Sequence, residues 1–143
     1  MLIAVTGATG FVGRHITTVL ARRGHTVRAL VRDPHRASTL ESLGVELIPG
    51  DLADAGALTT LMRAANAVVH LVGIIVEMGR ATFHAVHVEG TRRVVEAARR
   101  AGVERFVHMS AVGARDVLRA SNTSAAPMMR APIGISSPRR PSG

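Results

Sequence analysis

Leu2-Ile-Ala-Val-Thr-Gly-Ala-Thr-Gly-Phe-Val-Gly-Arg14 joins an apolar run, a glycine turn and the start of an amphipathic segment. Residues Met1 to Val5 are apolar enough for a buried strand, and the residues after Gly10 open a helix that the apolar spacing carries to about Arg23. Between them stand Gly7, Gly10 and Gly13, spaced Gly-x-x-Gly-x-x-Gly. Gly7 permits a tight turn that a Cβ would obstruct. Gly10 lets a pyrophosphate approach the backbone, and Gly13 lets the helix sit close to the sheet. The helix N-terminus then presents unpaired N–H groups and a partial positive charge. A glycine-rich turn without a ligand has no need of this context: a strand directly before it and an amphipathic helix directly after. Thr9, Phe11, Val12 and Arg14 belong to the same candidate phosphate cradle.

The pattern repeats outward from that turn. Helix one carries Val12, Ile16, Val19 and Leu20 on one face, and Gly24 suits its C-terminal stop. Thr26–Val31 reads as strand two, interrupted by Arg28. Asp33-Pro34 reads as the cap and first residue of a second helix that Gly44 ends. Strand three spans Val45–Ile48. Helix three is capped by Asp54, with Leu58, Leu61, Met62 and Ala65 inward. Strand four spans Ala67–Val72, apolar on both faces as parallel sheets require. After a loop at Gly79-Arg80, a long helix spans about Thr82 to Ala101, with Phe83, Val86, Gly90, Val94, Ala97 and Ala101 facing the sheet. Strand five is Arg105–Met109. Five strands alternating with four helices specify an α/β, doubly wound parallel sheet of order 3-2-1-4-5, ending after strand five.

Composition narrows the chemistry. The 143 residues suit one domain. There is no Cys, so neither a disulfide framework nor a thiolate metal site exists. There is no Tyr, and all 18 basic residues are Arg, so catalysis by a phenolate or an ε-amine is closed to the chain. The net charge of +8 is scattered, without Trp or Tyr to stack bases, which argues against nucleic acid. The longest apolar run, Ala67–Val76, is too short to span a bilayer. The N-terminus reads as a strand rather than as a basic leader, so a cytoplasmic address is expected. His84 and His87 are i,i+3 but lack a third ligand at metal spacing, so no metal is expected. From about Ser121 the chain is rich in Ser, Ala, Pro and Arg without hydrophobic period. The expected division is a nucleotide-binding domain over residues 1–114 and a low-complexity, disordered tail over 115–143.

The end of strand two selects between nucleotides. An acid there accepts from the ribose hydroxyls of NAD, whereas an Arg pairs with the extra phosphate of NADP. The acid's usual slot falls on Val31, and Arg32 follows; Asp33 is already spoken for as a helix cap. Arg14 can reach the same phosphate, so charge complementarity favours NADP(H) over NAD(H). Arg32 read otherwise is a solvated loop charge. Asp51, in Gly50-Asp51-Leu52 at the carboxyl end of strand three, reads equally as an acceptor for the adenine amino group or as a second cap beside Asp54. Leu71, Val72 and Gly73 close strand four, where Gly73 lets the backbone approach the central ribose. Ser110 ends strand five, beside the nicotinamide position.

These residues resemble a known family. Thr6–Gly13, Arg28–Pro34, Gly50–Leu52, His70–Gly73 and Arg105–Ser110 are similar to an atypical or extended short-chain dehydrogenase/reductase, of the NAD-dependent epimerase/dehydratase type. Phe83–Thr91 with His70–Ile74 resembles the branch that holds the nucleotide-binding accessory subunit of respiratory complex I and its bacterial relatives. The resemblance implies a Rossmann fold and, in this branch, a bound NADPH that is often structural. It also implies association with a larger complex. Enzymatic relatives use a Tyr-x-x-x-Lys pair assisted by a Ser matching Ser110, and many place an Asn where His87 stands. This chain has neither Tyr nor Lys, so Ser110 is a remnant. The family continues with further strands where this chain has its Ser/Pro/Arg tail, so a truncated or frame-shifted product is expected over a genuine short protein. Strand five is then an exposed edge prone to self-association. Three functions stay open: an NADP(H)-holding module without hydride chemistry, an NAD(P)-dependent oxidoreductase or epimerase, and a fragment unable to bind.

Overall fold

A computed structural model describes residues 1–72 and 88–109. The elements in order are β1 (Leu2–Thr6), α1 (Phe11–Arg22), β2 (Thr26–Val31), a 3₁₀ turn (Pro34–Ala37) running into a short α2 (Ser38–Glu41), β3 (Glu46–Pro49), α3 (Ala55–Met62), β4 (Ala67–His70), α4 (Gly90–Arg100) and β5 (Arg105–His108). The five strands form one parallel sheet of order β3-β2-β1-β4-β5, as the alternation of elements requires. The register places Thr6 beside His70 and His70 beside His108.

Side chains alternate between faces along each strand, so the sheet buries two separate layers. Ile3, Val5, Val27, Ala29 and Val31 join Ala37 and Leu40 on one face, with Ile16 and Leu20 of α1 packed against them. Ala4, Leu30, Ile48 and Val68 meet Leu58, Leu61 and Met62 of α3 and Val94 and Ala98 of α4 on the other. The near-continuous apolar runs of β1, β2 and β4 follow from this double burial.

Arg28, the apparent interruption of β2, has a defined task. Its Nη1 donates to the carbonyls of Thr60 and Arg63, both at 2.9 Å, and to that of Leu61 at 3.3 Å, while Nε donates to Glu46 at 2.8 Å. A guanidinium on the last carbonyls of α3 satisfies acceptors that the helix leaves open and opposes its dipole.

Several local expectations shift. The second helix is a 3₁₀ turn followed by only four helical residues, because Asp33 caps His35 N–H at 3.0 Å and Pro34 starts a tight turn. In α1 the fully buried positions are Gly13 and Thr17; Ile16 and Leu20 of the expected face pack against the core, while Val19 lies off it and is exposed. Ala101 lies past the end of α4 and is exposed. β4 ends at His70 rather than Val72, where the chain leaves the sheet. The expected helix start at Thr82, the residues Gly73, His84, His87 and Ser110, and the 115–143 tail lie outside the described residues.

Candidate functional site

At the carboxyl edge of the sheet the three glycines do three separable jobs. Gly7 adopts φ +78°, and a Cβ there would sit 2.9 Å from the carbonyl carbon of Leu71 and 3.0 Å from the nitrogen of Val72. The turn therefore lies directly on the backbone that leaves β4. A Cβ on Gly13 would fall 1.9 Å from the Gly7 carbonyl oxygen, so only glycine lets α1 rest on the turn. Among the described residues a Cβ on Gly10 would meet just that same oxygen, at 3.4 Å. Packing among the described residues does not demand glycine at position 10, and none of them fills the space above it.

The hydrogen bonds agree. Gly10 N–H donates to Gly7 O at 3.2 Å and Arg14 N–H donates to Gly10 O at 2.9 Å. The amides of Phe11, Val12 and Gly13 have no protein acceptor among the described residues. Gly10 is the N-cap, with no side-chain cap, and no acidic residue stands in the first turn of α1. Three open donors at a helix N-terminus, beside an unfilled glycine, suit a diphosphate. The aromatic ring of Phe11 is 96% exposed at the rim of this cradle.

Arg14 joins the cradle to the segment after β2. Its Nε donates to Thr9 O at 3.0 Å and its Nη2 to Arg36 O at 3.3 Å. Val31 is buried at the end of β2, and Arg32 is the first exposed residue beyond it. A carboxylate at position 31 would be enclosed in the apolar layer, so the first side chain able to meet a ligand there is cationic. Arg36, which sequence reasoning passed over, is exposed and brings its backbone carbonyl to this corner as the acceptor for Arg14. Its only sequence signal is its distance from Asp33-Pro34, which gives no hint that Arg14 docks on its carbonyl.

The other candidate residues are placed as follows. Asp51 Oδ1 accepts from Ala53 N–H at 2.7 Å and Asp54 N–H at 3.2 Å, so this exposed carboxylate caps the loop before α3, with both bonds on one oxygen. Leu52 is half-buried against α4, where a Cβ on Gly90 would come within 2.8 Å of its Cδ1. Leu71 turns its side chain into the core and donates its N–H to Thr6 O at 3.0 Å. Val72 is half-buried beneath Gly7.

Sequence reasoning also missed a buried polar cluster. His70 is wholly buried; its Nδ1 lies 2.5 Å from Thr6 Oγ1 and its Nε2 lies 3.1 Å from Thr91 Oγ1. The ring stacks on His108, centroids 5.3 Å apart. The available signal was one polar residue in the apolar run of β4, which burial obliges to find partners. At the head of α4, Glu89 takes hydrogen bonds from Arg92 and Arg93. The Arg92 bond, foremost among the causes, holds its carboxyl down to about 2. Among the described residues no helix is long and apolar enough to cross a membrane, and no group of three or more ligating side chains could hold a metal.

Comparison with known proteins agrees with this geometry. The family profile described as NAD(P)H-binding matches residues 7–133. A ceramide reductase of Caulobacter vibrioides is 39% identical over 115 residues, covering 80% of this chain and 36% of the relative. A 3-beta-hydroxysteroid dehydrogenase of Mycolicibacterium neoaurum is 32% identical over 133 residues, 85% of this chain and 36% of its own. Among solved structures, a short-chain dehydrogenase/reductase superfamily protein of Agrobacterium tumefaciens with bound NAD superposes with TM-score 0.64 at 38% identity, over 76% of this chain and 32% of that one. The negative transcriptional regulator NmrA in complex with NADP superposes with TM-score 0.62 at 25% identity, over 75% and 32%. The chain thus spans about a third of the length of the curated relatives it matches. With the profile covering most of its residues and a parallel sheet of order β3-β2-β1-β4-β5, the chain belongs to the NAD(P)H-binding family, on the Rossmann fold of the short-chain dehydrogenase/reductase type.

Proposed function

We propose that this chain is a nucleotide-holding module that binds NADP(H) in preference to NAD(H) and carries out no hydride transfer of its own. The observation that carries the reading is the cradle: three amides at Phe11–Gly13 with no acceptor among the described residues, beside a Gly10 that none of those residues fills, with Arg14 bridging to the segment after β2 and Arg32 the first exposed residue of that segment. The amides hold the diphosphate and the guanidiniums pair with the additional phosphate of NADP. A bound nicotinamide would bring the capacity for hydride transfer, but in this reading the chain's part is only to seat the nucleotide. The absence of Tyr and Lys supports a binding role, because no phenol with an ammonium neighbour is available to move the accompanying proton. The finer likeness to the complex I accessory branch belongs to the same reading, as a nucleotide held for structure.

A second reading, an NAD(P)-dependent oxidoreductase, is favoured by the reductase and dehydrogenase names of the relatives. Titration of the protein with NADPH and NADH, by calorimetry and by the reduced nicotinamide fluorescence, tests both. Binding with NADPH preferred and no turnover of carbonyl substrates is the expected result. Turnover moves the assignment to the second reading, and no binding of either nucleotide refutes both. Self-association at β5 is part of the proposal too. Among the described residues this strand pairs with β4 alone, with Phe106 and Val107 exposed, and sedimentation should show a concentration-dependent dimer.

A further inference from the structure

The phosphate cradle rests on a polar strut that runs beneath it. Thr6 is the last residue of β1 and stands immediately before Gly7. Its carbonyl accepts from Leu71 N–H at 3.0 Å and its hydroxyl meets His70 Nδ1 at 2.5 Å, so both of these groups are tied to β4. The other ring nitrogen of His70 reaches Thr91, in the first turn of α4, and His70 O accepts from Met109 N–H at 3.2 Å. Thr6 and His70 are wholly buried. In a neutral ring one nitrogen donates and the other accepts, so the two hydroxyls take opposite roles and each constrains the other through the imidazole. The backbone just beyond His70 is the surface on which Gly7 lies, with no room for a Cβ. The direction in which the chain enters Gly7, and hence where the amides of Phe11–Gly13 point, is set on one side by Thr6 and on the other by residues 71 and 72. His70 holds both.

The geometry points to His70 as a positioning residue for the nucleotide. Through Thr6 and Thr91 it registers the phosphate turn against the exit of β4 and the head of α4, and so sets cofactor affinity without touching the cofactor. This rests on the nucleotide-binding reading above, but part of its test needs no ligand. The variant to make is Thr91→Val, which removes one hydroxyl isosterically from a half-buried helix position and leaves the cradle untouched; Thr91→Ser restores the hydroxyl.

The measurements are the glycine amide resonances of ¹⁵N-labelled full chain without ligand, and the NADPH dissociation constant. Thr91→Val should move the resonances of Gly7, Gly10 and Gly13. It should weaken NADPH about three- to tenfold, the worth of one net hydrogen bond. Thr91→Ser should return both to the unaltered values. A strut that only holds the fold together would lower the melting temperature and leave the resonances and the affinity in place. That outcome overturns the proposal, as does failure of the Ser variant to restore them. If the unaltered protein binds no NADPH, the nucleotide reading falls, while the ligand-free resonances still decide whether the strut acts on the turn.

Discussion

Alanine at Gly10 and alanine at Gly13 should have opposite consequences, although the two glycines lie three residues apart in one turn. At Gly13 a Cβ falls 1.9 Å from Gly7 O and 2.8 and 2.9 Å from further backbone atoms, about 1.5 Å short of ordinary contact at the first of these. No side chain can swing aside, so α1 must lift off the turn. Overpacking of this kind costs about 1–3 kcal/mol. For a domain of this size that lowers the melting temperature by on the order of 5–20 °C. At Gly10 the backbone is extended, φ −70° and ψ 169°, and a Cβ stands 3.4 Å from Gly7 O, its one neighbour among the described residues. Ala fits that conformation and loses only the modest N-cap advantage of Gly, so stability should stay within about 1 kcal/mol. The methyl group, however, occupies the space a diphosphate needs to reach the amides of Phe11 and Val12. Hydrogen bonds to a charged partner are worth about 1.5–3 kcal/mol each, so losing one weakens NADPH roughly ten- to hundredfold. Thermal melts and NADPH calorimetry on both variants make the test. Undiminished affinity in a folded Gly10→Ala protein would mean that no diphosphate is seated where these amides point.

Arg32→Asp should reverse the preference toward NADH, read as the ratio of the two dissociation constants. An unchanged ratio would remove Arg32 from the nucleotide corner. Arg28→Met should destabilise the fold by roughly 1.5–3 kcal/mol, the range for hydrogen bonds to a charged group, and urea denaturation should show it without a change in the slope. Glu89 is held near 2, below its ordinary 4.5, so its contribution is present above about 4.5 and is lost as pH falls toward 2. Glu89→Gln should therefore melt earlier than the unaltered protein at neutral pH, and the two should converge near pH 2.

The strand–turn–helix at the N-terminus, the alternation of elements and the sheet order are legible in the chain because each rests on local rules. A strand buried on both faces must be apolar throughout, a parallel neighbour needs a crossover, and a helix seated on a turn needs glycine where the two meet. The caps at Asp33 and Asp54 are readable for the same reason, since a carboxylate and the amides it satisfies lie within three residues. Asp51 shows where local reading stops. Its spacing served a ligand and a cap equally well, and the folded loop gives both observed bonds to one oxygen.

Local rules written into the chain suffice for the glycine turn and the layered sheet around it. The tertiary structure alone decided which distant groups meet at that turn. Arg14 finds the carbonyl of Arg36, Arg28 reaches from mid-strand to the end of α3, and His70 links Thr6 to Thr91. These pairings span 21 to 64 residues, and no periodicity encodes them. His70 and Arg28 pair this way because burial leaves a polar group to find its partner among whatever the packed elements bring within reach, whereas the exposed Arg14 meets Arg36 because the fold sets the segment after β2 beside the first turn.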